Sequence, residues 1–164
     1  MPVASPCLGR LRLRMGVLTV AFVADPTEVP QFEGGPEPHN DELKQLDPLQ
    51  LAALGQLLFD GSFGESDPGS YGPTYDALLG EMHDRMHSYS DEEWAFPVPE
   101  RLTVALAEVQ DDRVPELAET WGRTEEFELD QKGPERGREY LHELRANARV
   151  AAESGKQLFL WMSL

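Results

Sequence analysis

The chain has 164 residues, enough for one domain with a sizeable hydrophobic core. Its 30 Asp and Glu residues outnumber its 14 Lys and Arg residues, which gives a formal net charge of −16 at pH 7. A surface this acidic argues against nucleic acid and against a membrane as partner, because nucleic acids and anionic lipids bind proteins through Lys and Arg. It favours a basic protein partner, a cation or a small molecule.

The first residues of the chain differ in composition from the rest. Residues 1–14 contain no acidic residue, and they hold the single cysteine and three arginines, Arg10, Arg12 and Arg14. We interpret residues 1–14 as an extension, either disordered or produced by an upstream start site, and residues 15–164 as a single α+β domain in the cytoplasm. The alternative is an atypical secretory signal at residues 1–24, because the arginines precede an apolar run.

The first predicted elements are a strand and a helix. Residues 16–23 predict a buried strand, since β-branched and aromatic side chains dominate there. The connector 25–47 is rich in Pro, Gly and acidic residues, which predicts a surface loop without regular structure. Asp47 and Pro48 then suit the N-cap and the first position of a helix, so a helix is predicted to begin at Pro48.

A second loop and a second helix follow. Glycines recur through residues 61–72, which predicts a surface loop. Apolar residues at spacings of three and four then predict an amphipathic helix over residues 73–87. Trp94 and Phe96 alternate with smaller residues, and the neighbouring Pro97 limits strand pairing, so this stretch predicts a short edge strand.

The C-terminal half predicts three helices and a strand. Amphipathic patterns indicate short helices at residues 102–109 and 114–121. A long helix is predicted over residues 134–154, ended by Gly155 and followed by an apolar strand at 158–164. Because a continuously apolar strand needs cover on both faces, we expect the N-terminal and C-terminal strands to lie side by side at the centre of a small sheet wrapped by about five helices. The predicted fold class is α+β.

Short segments of the chain match the skeleton of a known family. They are Met15-Gly16 before a strand, Leu46-Asp47 before a helix, Phe59-Asp60-Gly61 at its end, Pro99-Glu100-Arg101, Tyr140-Leu141 through Ala151-Ala152, and Gly155 before the last strand. This skeleton resembles the YfbM-like family of small bacterial α+β proteins of unknown function. The resemblance covers residues 15–164 and implies the fold, but it implies no functional residue. The connector 25–47 and the loop 61–72 depart from the family pattern.

Two histidines form a candidate metal site. His83 and His87 are four residues apart on the predicted second helix, a spacing that brings two imidazoles onto one face within reach of one Zn²⁺ ion. A third ligand would have to come from a nearby carboxylate or from His142. The competing interpretation is a polar helix end, where histidines favour the negative end of the helix dipole.

A basic stripe on the last helix forms a candidate anion site. Arg138, His142, Arg145 and Arg149 fall within about 60° of one another at 100° per residue. Arginine offers a forked set of donors to carboxylates and phosphates, so the stripe could hold an anionic ligand. The competing interpretation is that these side chains pair with acidic residues of the same fold.

An acidic segment with aromatic residues forms a candidate protein-binding site, which comprises Trp121, Glu125, Glu126, Phe127, Glu128 and Asp130. Aromatic anchors inside a negative rim would attract a basic protein and then hold it. The competing interpretation is a solvated acidic surface, which also fits the clusters Asp91-Glu92-Glu93 and Asp111-Asp112.

These features favour binding over catalysis. No residue pattern has the specificity of a catalytic signature, so the sequence predicts no catalytic residue and no cofactor apart from a possible zinc ion. We interpret the chain as a non-enzymatic domain that uses an acidic surface to bind a basic protein, as immunity proteins and antitoxins do. The alternative is a metal-binding protein or metal-dependent hydrolase centred on His83 and His87. A small-molecule binding module is a third class, with no sequence feature of its own.

Overall fold

The computed structural model describes residues 18–36, 43, 46–63, 71–124, 127 and 133–164. These residues contain four strands, β1 Leu18–Ala24, β2 His87–Ser90, β3 Glu93–Pro97 and β4 Gln157–Ser163. They also contain five α-helices, α1 Pro48–Asp60, α2 Pro73–Asp84, α3 Glu100–Glu108, α4 Val114–Gly122 and α5 Gly133–Ser154. Two short 3-10 helices, Pro26–Phe32 and Asp111–Arg113, complete the described elements. The predicted extension at residues 1–14 lies outside the described residues.

The four strands form one antiparallel sheet in the order β1-β4-β3-β2. The predicted α+β class and the predicted adjacency of the N-terminal and C-terminal strands are confirmed, since Leu18 pairs with Ser163 and Ala24 with Gln157. The central position is correct only for β4. β1 lies at an edge, whereas β3, which the sequence predicted as an edge strand, lies inside the sheet.

The β1 edge is joined to the end of the connector. The backbone N–H of Leu43 donates to the Thr19 carbonyl (2.8 Å), and the Thr19 hydroxyl donates to the Leu46 carbonyl (2.7 Å). Thr19 and both leucines are buried. The polar groups of Thr19 are therefore satisfied away from water, and the connector is held where α1 begins.

Both faces of the sheet are covered, as the apolar character of β4 requires. Alternate residues of β4 face opposite sides, so Leu158 and Leu160 join the core under the helices, while Phe159 and Trp161 join a second core. The 3-10 helix Pro26–Phe32 covers that second face. The prediction of an irregular surface loop was therefore wrong for this part of the connector.

Local capping explains where the connector and α1 become regular. The Asp25 carboxylate accepts from the Thr27 N–H (3.0 Å), which begins the 3-10 helix. The Asp47 carboxylate accepts from the Gln50 N–H (2.8 Å), and the Gln50 amide oxygen accepts from the Asp47 N–H (3.1 Å). This reciprocal pair satisfies donors that the first turn of α1 would otherwise leave free. The predicted start of α1 at Pro48 is confirmed.

The second helix is shorter than predicted. It ends at Asp84, three residues before His87, because the chain then turns to form β2, in which His87 pairs with Ala95 of β3. The last helix and strand lie where predicted, and Gly155 between them has a φ of 67°, which favours glycine. Among the helices of the described ranges, none has both the length and the apolar character that a bilayer span requires.

Candidate functional site

The two histidines of the predicted metal site lie on different elements. His83 belongs to α2, whereas His87 begins β2. His83 Nδ1 lies 2.9 Å from the Leu79 carbonyl oxygen and its ring packs edge-on against Phe96, while the His87 ring packs edge-on against Tyr89. The helical spacing behind the zinc prediction is therefore absent. Within the described ranges, no group of three or more His, Cys, Asp or Glu side chains is placed to hold a metal ion.

The basic stripe on α5 divides into structural and exposed residues. Arg145 is only 4% exposed, and its guanidinium donates from Nε (3.1 Å) and Nη2 (2.8 Å) to the Val109 carbonyl. Arg149 donates from Nε to the Ala107 carbonyl (3.2 Å). These carbonyls belong to the C-terminal end of α3, where a helix has acceptors without intrahelical donors. Arg145 and Arg149 therefore fix α5 against α3.

The contacts of Arg145 extend to one carboxylate. Its Nη2 lies 2.6 Å from Asp111 Oδ1, and this hydrogen bond, followed by the guanidinium charge, holds the pKa of Asp111 below its ordinary value of 3.8. Arg145 therefore pairs with an acidic residue of the same fold, which was the alternative to anion binding in the sequence analysis. Arg138 and His142 are exposed, and no ion pair joins Arg138 to another residue of the described part. Anion binding by this pair stays a prediction.

The aromatic residues of the predicted protein-binding segment are buried. Trp121 and Phe127 are both 0% exposed, and their rings pack edge-on with centroids 4.9 Å apart. The indole N–H of Trp121 donates to the Gln50 carbonyl (2.8 Å). Neither ring is available to a partner, so the prediction of an aromatic anchor here was wrong. The acidic residues of that segment, Glu125, Glu126, Glu128 and Asp130, lie outside the described residues.

A different acidic surface lies at the end of the sheet where β2 turns into β3. We call it the hairpin patch, and it consists of Glu33, Asp91, Glu92 and Glu93. The patch is continuous because the Gly34 N–H donates to the Glu93 carboxylate, which brings the end of the connector beside the hairpin. The described segments that meet here are residues 18–36, 86–100 and 157–164. They contain no Lys and no Arg, and His87 is their only histidine.

Glu93 anchors the hairpin patch to the sheet. Its carboxylate accepts from the indole N–H of Trp161 (2.8 Å) as well as from the backbone of Gly34. Trp161 is itself only 4% exposed. Glu93 is therefore a positioning residue for this end of the sheet, while Glu33, Asp91 and Glu92 remain exposed to solvent.

Two residues of the hairpin patch, Glu93 and Glu33, influence the pKa of Tyr89. Burial raises the pKa of Tyr89 to about 12, and the charges of Glu93 and Glu33 add to that rise. The phenol is held in place because its hydroxyl donates to the Val29 carbonyl (2.5 Å). Two carboxylates from separate segments thus act on the same side chain.

A cleft with a volume of about 840 Å³ lies at the opposite end of the sheet, where β3 ends and β4 begins. Its walls come from the end of α2, the β3–α3 junction, the α5–β4 turn and Pro26. Five charged side chains line it: Glu81, Arg85, Glu100, Arg101 and Lys156. Sequence reasoning missed this cleft because its residues are drawn from four separated segments, none of which forms a motif alone.

Comparisons with known proteins add no relative. No protein-family model matches the chain, and no curated protein and no solved structure is similar to it. The resemblance to the YfbM-like family therefore stays a prediction, and the functional interpretation depends on the geometry of the two ends of the sheet.

Proposed function

We propose that this chain is a non-enzymatic binding domain that uses the hairpin patch to bind a basic protein. An immunity or antitoxin role is one form of such a function, because an acidic surface can occupy a cationic cleft that was built for nucleic acid. The observation that carries the proposal is the grouping of Glu33, Asp91, Glu92 and Glu93 at an end of the sheet where the described ranges 18–36, 86–100 and 157–164 contain no Lys or Arg.

The fold uses many of its cations elsewhere. Arg145 is bound within the α3–α5 contact, and Arg101 Nη2 lies 2.5 Å from Glu81 Oε1. Arg123 pairs with Glu119 one turn away on the surface. A carboxylate already paired with a cation contributes little to attraction at a distance. Within the described residues, no ion pair involves Glu33, Asp91, Glu92 or Glu93, so their charges are left to act on a basic partner.

An exposed apolar residue lies beside the patch. Leu164 is 59% exposed, and its backbone N–H donates to the Glu92 carbonyl (3.0 Å). Protein interfaces commonly combine an apolar centre with a charged rim, because the rim guides the encounter and the centre supplies contact area. Leu164 supplies the apolar contact that the buried Trp121 cannot.

The test compares two variants with the same net charge. The patch variant is Glu33→Gln, Asp91→Asn and Glu92→Gln, which leaves the anchoring Glu93 intact. The control variant, Asp76→Asn, Glu116→Gln and Glu153→Gln, removes three carboxylates exposed elsewhere. Wild-type chain and both variants are immobilised, exposed to host lysate at low salt and washed with rising salt, and retained proteins are quantified by mass spectrometry.

We expect a basic protein that wild type and control retain and that the patch variant retains at least about ten-fold less well. Three exposed charge contacts at about 0.5–1 kcal/mol each give that factor or more. An empty wild-type column, or equal losses for both variants, would contradict the proposal. Equal losses would mean that total charge, rather than the hairpin patch, governs retention.

A further inference from the structure

We propose that the cleft at the opposite end of the sheet binds a small organic anion with an apolar body. The inference is independent of the basic partner proposed for the hairpin patch. It depends on four properties of the cleft: its size, the rigidity of its walls, its apolar lining and the balance of its charges.

The size and walls of the cleft suit a small molecule. Its volume of about 840 Å³ falls in the range of roughly 300–1,000 Å³ that small-molecule sites occupy. Three prolines, Pro26, Pro97 and Pro99, fix backbone angles along the wall. The Val98 N–H donates to the Leu158 carbonyl (2.9 Å), which ties the wall to β4. The site is thus largely formed before a ligand arrives.

Apolar side chains line the cleft between its charges. Val104, which is 44% exposed, belongs to the lining together with Ala151 and Ala152. Covering an exposed valine with a ligand favours binding, because apolar surface is removed from water. These residues suit an apolar ligand body rather than a bare inorganic ion.

The charges of the cleft leave an excess of cation. The contact between Arg101 and Glu81 neutralises one residue of each sign. Of the other charged residues in the lining, Arg85 and Lys156 are cations and Glu100 is the single carboxylate. Among the lining residues this balance is opposite in sign to the net charge of −16 that the whole chain carries.

One further carboxylate lies near Lys156. Asp25 has a pKa lowered mainly by its hydrogen bonds from Thr27, and the Lys156 charge contributes least. Asp25 already accepts hydrogen bonds from both the N–H and the hydroxyl of Thr27. No ion pair between described residues involves Lys156, so its ammonium can donate to a ligand, and an anion that reaches Lys156 or Arg85 would gain charge-assisted hydrogen bonds.

The test uses two fluorescent probes that share an aromatic body. The first, 1-anilinonaphthalene-8-sulfonate, carries one sulfonate, and the second, N-phenyl-1-naphthylamine, carries none. Both are titrated against the full wild-type chain, an Arg85→Gln/Lys156→Gln variant and an Arg113→Gln/Arg138→Gln control, which removes two exposed cations outside the cleft lining. Near-ultraviolet circular dichroism confirms that each protein is natively packed.

We expect the sulfonate probe to bind wild type and control saturably at one site, and the cleft variant at least about ten-fold more weakly, since each charge-assisted hydrogen bond contributes enough for about that factor. The neutral probe should bind all three proteins equally and more weakly than the sulfonate probe binds wild type. Absence of saturable sulfonate binding would overturn the inference. Equal affinity of both probes for wild type, or equal weakening in both variants, would also overturn it.

Discussion

The two ends of the sheet differ in how the fold treats charge. At the hairpin patch, Glu33 of the connector meets carboxylates of the β2–β3 turn, and the described ranges 18–36, 86–100 and 157–164 that meet there contain no Lys or Arg. At the cleft, residues from α2, α3 and the α5–β4 turn bring three cations against two carboxylates. The net charge of −16 therefore agrees in sign with the hairpin patch but not with the lining of the cleft. Composition alone predicts a basic partner, whereas the fold separates an acidic end from one whose lining holds more cations than carboxylates.

The largest change in the free energy of unfolding should come from replacing a buried arginine that donates hydrogen bonds within the fold. Arg145→Met should lower the free energy of unfolding by about 3 kcal/mol, because the Val109 carbonyl loses two donors and the replacement restores none of them. Arg85→Met at the cleft should change it by less than about 0.5 kcal/mol, because that side chain is exposed. Urea denaturation measures both. Equal effects would mean that the division into structural and cleft cations is wrong.

Replacing a glutamate by alanine should destabilise the fold more at the hairpin patch than at the cleft. Glu93→Ala should destabilise by about 2 kcal/mol, because the buried indole N–H of Trp161 loses its acceptor and Gly34 loses its contact. Glu100→Ala at the cleft should cost no more than about 0.5 kcal/mol, the usual contribution of a carboxylate in the first turn of a helix. Thermal unfolding of the two variants compares them directly. Equal destabilisation by Glu100→Ala and Glu93→Ala would contradict the anchoring role of Glu93.

A smaller effect is expected in the titration of Tyr89. Glu33→Gln should lower its pKa from about 12 but keep it above 10, because burial is the largest cause of the rise and stays unchanged. A pKa raised in the folded state stabilises the fold fully below pH 10, and this stabilisation is lost between about pH 10 and 12. The variant should lose less stability in that window. Phenolate absorbance, with Tyr89→Phe subtracted, reports the pKa, and an unchanged value would place Glu33 away from the patch.

The smallest effect is expected at Asp111, the exposed partner of Arg145. Its pKa is lowered chiefly by the hydrogen bond from that guanidinium, so its stabilisation is present above pH 3.8 and is lost as the pH falls through the folded value. Asp111→Asn should be slightly less stable than wild type at neutral pH, and the difference should shrink under acid. Urea unfolding at pH 7 and at pH 3 tests this. A difference that grew under acid would contradict the pairing.

Features with local causes could be predicted from the sequence. The start of α1 follows from Asp47 and Pro48, whose cap and ring act within one turn. The junction of α5 and β4 follows from Gly155, which adopts a left-handed conformation that suits glycine. The adjacency of β1 and β4 could also be predicted, since each is apolar on both faces and needs the same cover.

Features with distant causes could not be predicted. The helical pattern continues past Asp84, but pairing of His87 with Ala95 ends the helix early, so the histidine pair was assigned to one helix. Trp121 suited either an exposed anchor or a core position, and its bond to the Gln50 carbonyl, 71 residues away, decides for the core. The cleft depends in the same way on segments that meet only in the fold.

The most direct test of a basic partner at the hairpin patch is the salt dependence of its binding. The basic protein recovered from lysate is titrated into wild type, the patch variant and the control variant at several salt concentrations. We expect affinity for wild type and control to fall steeply as salt rises, because the attraction between exposed charges is screened, and the patch variant to bind weakly with a shallow dependence. Equal affinities and equal salt dependence in all three proteins would contradict the proposal.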